Sequence, residues 1–125
     1  MPEAVIFVVD DEGLIAETLA LILRQREYTA VAFSKPREAL AAAANLKPDL
    51  LLSDYLMPDM NGLTLATEIL QQYPECKVLM VSGAIGHAAN HPARERFEFL
   101  EKPVPPQDLL KKVKALLDGK RRRKA

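Results

Sequence analysis

Residues 4–11 read Ala4-Val5-Ile6-Phe7-Val8-Val9-Asp10-Asp11. A strand with one wet face alternates apolar and polar side chains. This run is apolar and mostly β-branched with no polar break, the pattern of a strand covered on both faces in a parallel sheet. Two carboxylates follow it at once. The pattern recurs after Pro48, where Asp49-Leu50-Leu51-Leu52-Ser53-Asp54 again ends on a carboxylate.

Outward from these two runs the chain alternates. Ile15, Leu19 and Ile22 stand at i, i+4, i+7, which predicts an amphipathic helix over 13–26. Thr29–Phe33 is a short β-prone run. Ser34 is the expected N-cap of a helix reaching about Asn45, with Pro36 in its first turn. Pro58 and Gly62 punctuate a loop. Leu63, Ala66, Leu70 and Tyr73 mark a helix that Pro74 ends. Val78–Val81 and Phe97–Glu101 are the fourth and fifth strands. Leu109, Val113, Leu116 and Leu117 give a last helix closed by Gly119. Such alternation predicts an α/β domain, a parallel sheet with helices on both faces. Gly83–Arg96 holds Gly83, Gly86, Asn90 and Pro92 and has no apolar stripe, so any helix there is short or irregular.

The chain has 125 residues, the size of one domain, with 49% hydrophobic and 27% charged residues. Its formal net charge of zero hides an asymmetry. Lys120–Lys124 holds five of the 17 basic residues, so residues 1–119 carry 12 bases against 17 acids, a net −5. An acidic body argues against nucleic-acid binding through the folded part, since duplex binding rests on basic contacts to phosphate. The domain is expected over residues 4–118, with 119–125 a disordered basic tail or linker stump. No apolar run approaches the roughly 20 residues that span a bilayer. Met1-Pro2-Glu3 does not open a secretory signal, and Cys76 is the single cysteine. Internal disulfides and multi-cysteine zinc sites are therefore excluded, and a cytoplasmic location is expected.

The chemistry gathers where strands end. Open parallel sheets bind ligands outside the carboxyl ends of their strands, where strand order reverses. If the first and third strands are neighbours there, Asp10, Asp11 and Asp54 converge. Like charges held together call for a cation, and hard oxygen donors suit Mg²⁺. Lys102 follows the fifth strand and can pair with a carboxylate or a phosphoryl group as a point charge. Ser82 ends the fourth strand and can offer a hydroxyl.

Four pieces in this order, Val8-Val9-Asp10-Asp11-Glu12, Ser53-Asp54-Tyr55-Leu56-Met57-Pro58-Asp59-Met60-Asn61-Gly62, Val81-Ser82-Gly83-Ala84 and Phe99-Leu100-Glu101-Lys102-Pro103, resemble the receiver domain of two-component response regulators over about residues 4–118. The resemblance implies a flavodoxin-like, doubly wound sheet of five parallel strands in the order 2-1-3-4-5. It implies that Asp54 is the phosphoacceptor, receiving a phosphoryl group from a histidine kinase or phosphotransfer domain. Asp11, Asp54 and the backbone carbonyl of Leu56 would bind Mg²⁺ directly, and Asp10 through water. Lys102 would grip the phosphoryl oxygen. Ser82 would move inward to bond it, and Phe99 matches the switch aromatic that turns inward with it. The bond before Pro103 is commonly cis in the family.

The implied function is a phosphorylation-dependent switch, not an enzyme with an external product, that alters binding of a downstream protein as a monomer or weak dimer. The receiver of a hybrid kinase or multidomain regulator fits equally. A Mg²⁺-dependent phosphohydrolase using Asp54 would want a second Asp where Leu56 stands. A flavin-binding module would want a Ser-, Thr- and Gly-rich loop where Asp10-Asp11-Glu12 stands. A degenerate receiver would lack some of the set present here. The resemblance makes Leu56 and Ala84, two residues after Asp54 and Ser82, positions that tune the lifetime of the phosphoryl group, and neither side chain can orient an attacking water, which predicts slow self-dephosphorylation. His87 and His91 lack the Glu of a zinc-protease motif and read as solvent residues. Tyr55, Met57, Met60 and Cys76 read as packing.

Overall fold

Five parallel strands form one sheet in the order β2-β1-β3-β4-β5. They are β1 (Val5–Val9), β2 (Thr29–Phe33), β3 (Leu50–Asp54), β4 (Lys77–Ser82) and β5 (Glu98–Glu101). The helices among the described residues are α1 (Gly13–Arg24), α2 (Pro36–Ala43), α3 (Gly62–Gln72) and α4 (Pro106–Lys124). This computed structural model describes residues 3–83 and 97–124, with the backbone alone for 120–124. The expected short or irregular helix of Gly83–Arg96 thus lies outside the described residues beyond Gly83, as do Ala84, His87 and His91.

The unbroken apolar runs have the cause inferred for them. All five residues of β3 are buried, and four of the five in β1. Alternate side chains feed two separate cores. Phe7, Val9, Leu51 and Met80 pack with α3 residues Leu65 and Ile69. Ile6, Val8, Leu52 and Leu79 pack on the other face with Leu23 of α1 and Leu109 of α4. The sheet is therefore doubly wound, as expected.

Several boundaries differ from expectation, each for a local reason. The N-cap of α2 is Lys35, not Ser34, and its side chain makes no capping bond. Pro36 takes the first helical position, so the cap falls on the residue before it. Helix α1 stops at Arg24, before 26. There the N–H groups of Arg26 and Glu27 donate to the carbonyls of Leu23 and Arg24, and Glu27 turns left-handed at φ 69°. Gly119 does not close the last helix, because it lacks the positive φ by which glycine ends one. The backbone stays helical to Lys124 where a disordered tail is expected. Lys and Arg are good helix formers, and extending a helix is far easier than nucleating one.

Register sets the functional rim. Val9 pairs with Ser53, Asp54 with Val81, and Ser82 with Glu101. The carboxyl ends of β1, β3, β4 and β5 therefore finish within two residues of one another, β1 first and β4 and β5 last. Strand order reverses between β1 and β3, since the chain steps outward from β1 to β2 and later returns to β1's other side.

Candidate functional site

Asp10 is the first residue past β1 and is only 2% exposed. Its N–H donates to the Phe33 carbonyl at 3.1 Å, which continues the β1–β2 ladder by one step. Its Oδ1 accepts the Glu12 N–H at 2.9 Å, so the carboxylate also shapes the entry to α1. Asp11, the next residue, is exposed. Asp54 closes β3 and is 8% exposed. One carboxylate oxygen from each of Asp10, Asp11 and Asp54 lies within 4.8 Å of the others.

Lys102 enters from β5. Its N–H donates to the Ser82 carbonyl at 2.9 Å, extending the β4–β5 ladder, and its peptide bond to Pro103 is cis. The side chain returns across the rim. Lys102 Nζ lies 2.9 Å from Asp10 Oδ2 and 3.3 Å from Asp54 Oδ2. One ammonium thus bridges two buried carboxylates.

The charges do not balance. Three carboxylates face one ammonium, which leaves two negative charges when all are ionised. Burial raises the Asp54 pKa, Lys102 pulls it down, and the charges of Asp10 and Asp11 push it up, with a net rise. For Lys102, burial opposes the charged form. The hydrogen bond to Asp10 and the charges of Asp54 and Asp10 outweigh burial, so its pKa also rises. A divalent cation would cancel the excess, and an all-carboxylate donor set is what Mg²⁺ or Ca²⁺ takes. The residues present therefore fit a hard divalent cation, with exposed Asp11 on the solvent side.

The other expected residues fall into two groups. Ser82 is buried at the end of β4, on the same rim. Leu56 sits in the loop after β3 with its side chain half exposed. Phe99 lies apart from the carboxylates, in the core layer under α3, with its ring edge-on to Tyr55 at 5.9 Å. That ring is already buried.

Sequence reasoning missed two contributors. Gly62 starts α3 so close to the site strand that a Cβ there would lie 2.6 Å from the Asp54 carbonyl oxygen. Ser53 is fully buried and its Oγ donates to that same oxygen at 2.9 Å. The signal for Ser53 was present as one hydroxyl in a strand that is otherwise leucine up to its terminal Asp54. For Gly62 the signal was its place at the end of the loop motif of residues 53–62, which marks the glycine but not the backbone approach that requires it.

With this geometry in place, the comparisons with known proteins are specific. A family model described as the response regulator receiver domain matches residues 6–114. The chain is 34% identical over 105 residues to the DNA-binding transcriptional regulator NtrC of Salmonella typhimurium, covering 82% of this chain and 22% of that one. It is 34% identical over 119 residues to the sensor kinase CckA of Brucella abortus, covering 92% of this chain and 13% of that one. It superposes on a CheY-like receiver domain protein of Methanospirillum hungatei with a TM-score of 0.86 and 28% identity, covering 98% and 99% of the two chains. The chain spans about a fifth of the length of the first curated relatives it matches. Among the described residues no helix is long and apolar enough to cross a membrane. The sheet order, the rim of three aspartates and a lysine, and the family match agree, and this chain belongs to the response regulator receiver domains of two-component signalling.

Proposed function

We propose that the chain is a phosphorylation-dependent switch with Asp54 as phosphoacceptor. The observation that carries this reading is the Lys102 ammonium bridging Asp10 and Asp54 beside Asp11, at the reversal of strand order. A carboxylate oxygen of Asp54 attacks the phosphorus of a phosphohistidine or acyl phosphate. The bond from phosphorus to the leaving nitrogen or oxygen breaks, and an aspartyl phosphate remains. Phosphoryl transfer asks chiefly for alignment and for positive charge around the equatorial oxygens. Lys102 supplies one such charge and Ser82 a hydroxyl donor. Asp10, Asp11, Asp54 and the Leu56 carbonyl would hold Mg²⁺, which supplies further neutralising charge when bound.

The product adds negative charge and acceptor oxygens where Lys102 now pairs with Asp10 and Asp54. Drawing Lys102 and Ser82 toward the phosphoryl group changes the carboxyl ends of β4 and β5, and Phe99 on β5 carries the change to the α3 side. An apolar groove of about 450 Å³, lined by Leu14, Ile15 and Leu19 of α1 with Pro103 and Val104, opens beside Lys102. It suits a donor histidine kinase or phosphotransfer domain presented edge-on to the rim. The switching unit is residues 4–118, and 119–125 fall outside it. The chain works in the cytoplasm through protein contact, as a monomer or weak dimer. The short share of each relative that it spans favours a second setting, the receiver of a larger kinase or regulator.

The test is incubation of the chain with acetyl phosphate and Mg²⁺, followed by intact mass. One added phosphoryl group is expected, absent in Asp54→Asn and absent in chelator. Removal of the donor should leave most of the label for longer than seconds, given Leu56 beside the site. A folded chain that takes no phosphoryl group from acetyl phosphate or from any histidine donor ends the proposal.

A further inference from the structure

Four buried side chains among the described residues are polar or charged: Asp10, Ser53, Asp54 and Ser82. Three belong to the rim. Ser53 points the other way, into the apolar layer beneath α3. Register sets it between Val9 of β1 and Met80 of β4. A hydroxyl is costly to bury in such a layer unless it is hydrogen-bonded, and an alanine or valine would fill the place without that cost. Its partner is the Asp54 carbonyl oxygen, 2.9 Å from Oγ.

That oxygen belongs to a peptide held at several points. Gly62 approaches it more closely than any side chain would allow. At the other end of the same peptide, the Tyr55 N–H donates to the Val81 carbonyl at 2.9 Å. One residue on, the Tyr55 carbonyl accepts the Gly62 N–H at 2.8 Å. The plane of this peptide fixes how the chain leaves β3. It therefore fixes how the Asp54 carboxylate and the backbone of Leu56 stand toward Asp10 and Asp11.

We propose that Ser53 is a positioning residue for the phosphoacceptor: its hydroxyl locks the Asp54–Tyr55 peptide, and so aims the Asp54 carboxylate at its cation and its phosphoryl donor. This rests on the reading of Asp54 as acceptor. Ser53 touches neither donor nor cation. It acts through Asp54 alone.

The full chain is compared with Ser53→Ala, Ser53→Cys and Ser53→Thr in three measurements. These are Mg²⁺ affinity by calorimetry, the rate of phosphoryl uptake from acetyl phosphate at saturating Mg²⁺, and the urea unfolding midpoint. Ser53→Ala is expected to weaken Mg²⁺ binding and to slow saturated uptake about tenfold, the scale on which misplaced reacting groups lose rate. Its unfolding midpoint should stay near that of the parent chain. Ser53→Cys keeps the shape with a poor donor and should behave like Ala. Ser53→Thr keeps the hydroxyl and should restore both affinity and rate. If its extra methyl prevents folding, the Cys and Ala pair carries the test. Parent-like uptake and affinity in folded Ser53→Ala or Ser53→Cys overturn the proposal while leaving Asp54 as acceptor. A folded Ser53→Thr as slow as Ala also overturns it. A folded parent chain that takes no phosphoryl group from acetyl phosphate or from any histidine donor overturns both readings.

Discussion

Asp54 is held in a form that costs the fold something. Burial raises its pKa above the ordinary carboxylate value, and Lys102 offsets this only in part. A group whose folded pKa exceeds its unfolded pKa binds its proton more tightly in the native state. Its contribution is then most favourable below the unfolded value near 3.8 and is lost as pH rises through the higher folded value. At neutral pH and without metal, the ionised carboxylate therefore destabilises the native state relative to its protonated form. Asp54→Asn removes that charge at constant shape. In chelating buffer it should melt above the parent chain at pH 7, and the gap should close as pH falls toward 4, as scanning calorimetry would read. An equal gap at both pH values would mean that the charge of Asp54 is not what strains the site. Asp10, Asp11, Asp54 and Lys102 were legible in the sequence because each stands where a strand ends, and strand ends are readable from where apolar runs stop. The hydroxyl of Ser53 stood out in its strand, but its role was not legible, because that role depends on which way the hydroxyl turns.

At the scale of elements, α3 is seated on the site by the absence of a side chain. A Cβ on Gly62 would lie 2.6 Å from the Asp54 carbonyl oxygen, 2.9 Å from Met80 Sδ and 3.2 Å from Tyr55 Cα. Met80 can bend away, but two of the three neighbours are backbone. Alanine would favour the helix by about 1 kcal/mol on intrinsic propensity. Overpacking against backbone costs about 1–3 kcal/mol, so the clash should win or at best break even. Gly62→Ala is thus expected to lower stability in urea unfolding and to slow phosphoryl uptake, since α3 can relieve the clash only by pushing on Asp54. The neighbouring Asn61 separates these effects. Its side chain accepts the Thr64 N–H at 2.9 Å as the N-cap. Asn61→Ala should cost about 1 kcal/mol of stability by loss of the cap, with far less effect on uptake. Equal slowing in both variants would show that the general stability of α3, not its close approach, sets the geometry. The elements themselves were legible because buried parallel strands are unbroken apolar runs and amphipathic helices repeat every three to four residues. Their ends were less so. Ser34 is a better cap than Lys35 on chemistry alone, yet the rigid ring of Pro36 decides which residue caps α2. Gly119 is a helix stop only when its φ turns positive, and here the helix runs through it.

For the whole molecule, the site lies on the seam between β1 and β3, so what binds there bears on the entire sheet. β1 carries the β2 edge, and β3 carries β4 and β5. The strand order was legible only through the resemblance, since alternation alone leaves several right-handed arrangements open. It matters because this order brings Asp10 and Asp54 from adjacent strands under one lysine. A cation held by Asp10, Asp11 and Asp54 would tie the two halves of the sheet together and relieve the repulsion that Lys102 only partly cancels. A ligand that binds the native state alone, at about 100 times its Kd, stabilises it by about 2.7 kcal/mol. For a domain of this size that is a rise of roughly 10 °C in Tm. The parent chain should show a rise of that order at saturating Mg²⁺, while Asp54→Asn, which starts higher in chelator, should gain much less. The two melting curves should therefore change order as Mg²⁺ is added. If Asp54→Asn gains as much as the parent chain, the cation is binding elsewhere. If neither gains, the three carboxylates are not a cation site, and Lys102 alone must balance them. A change of order would show that the same carboxylate that weakens the empty fold is the one that the cation uses to strengthen it.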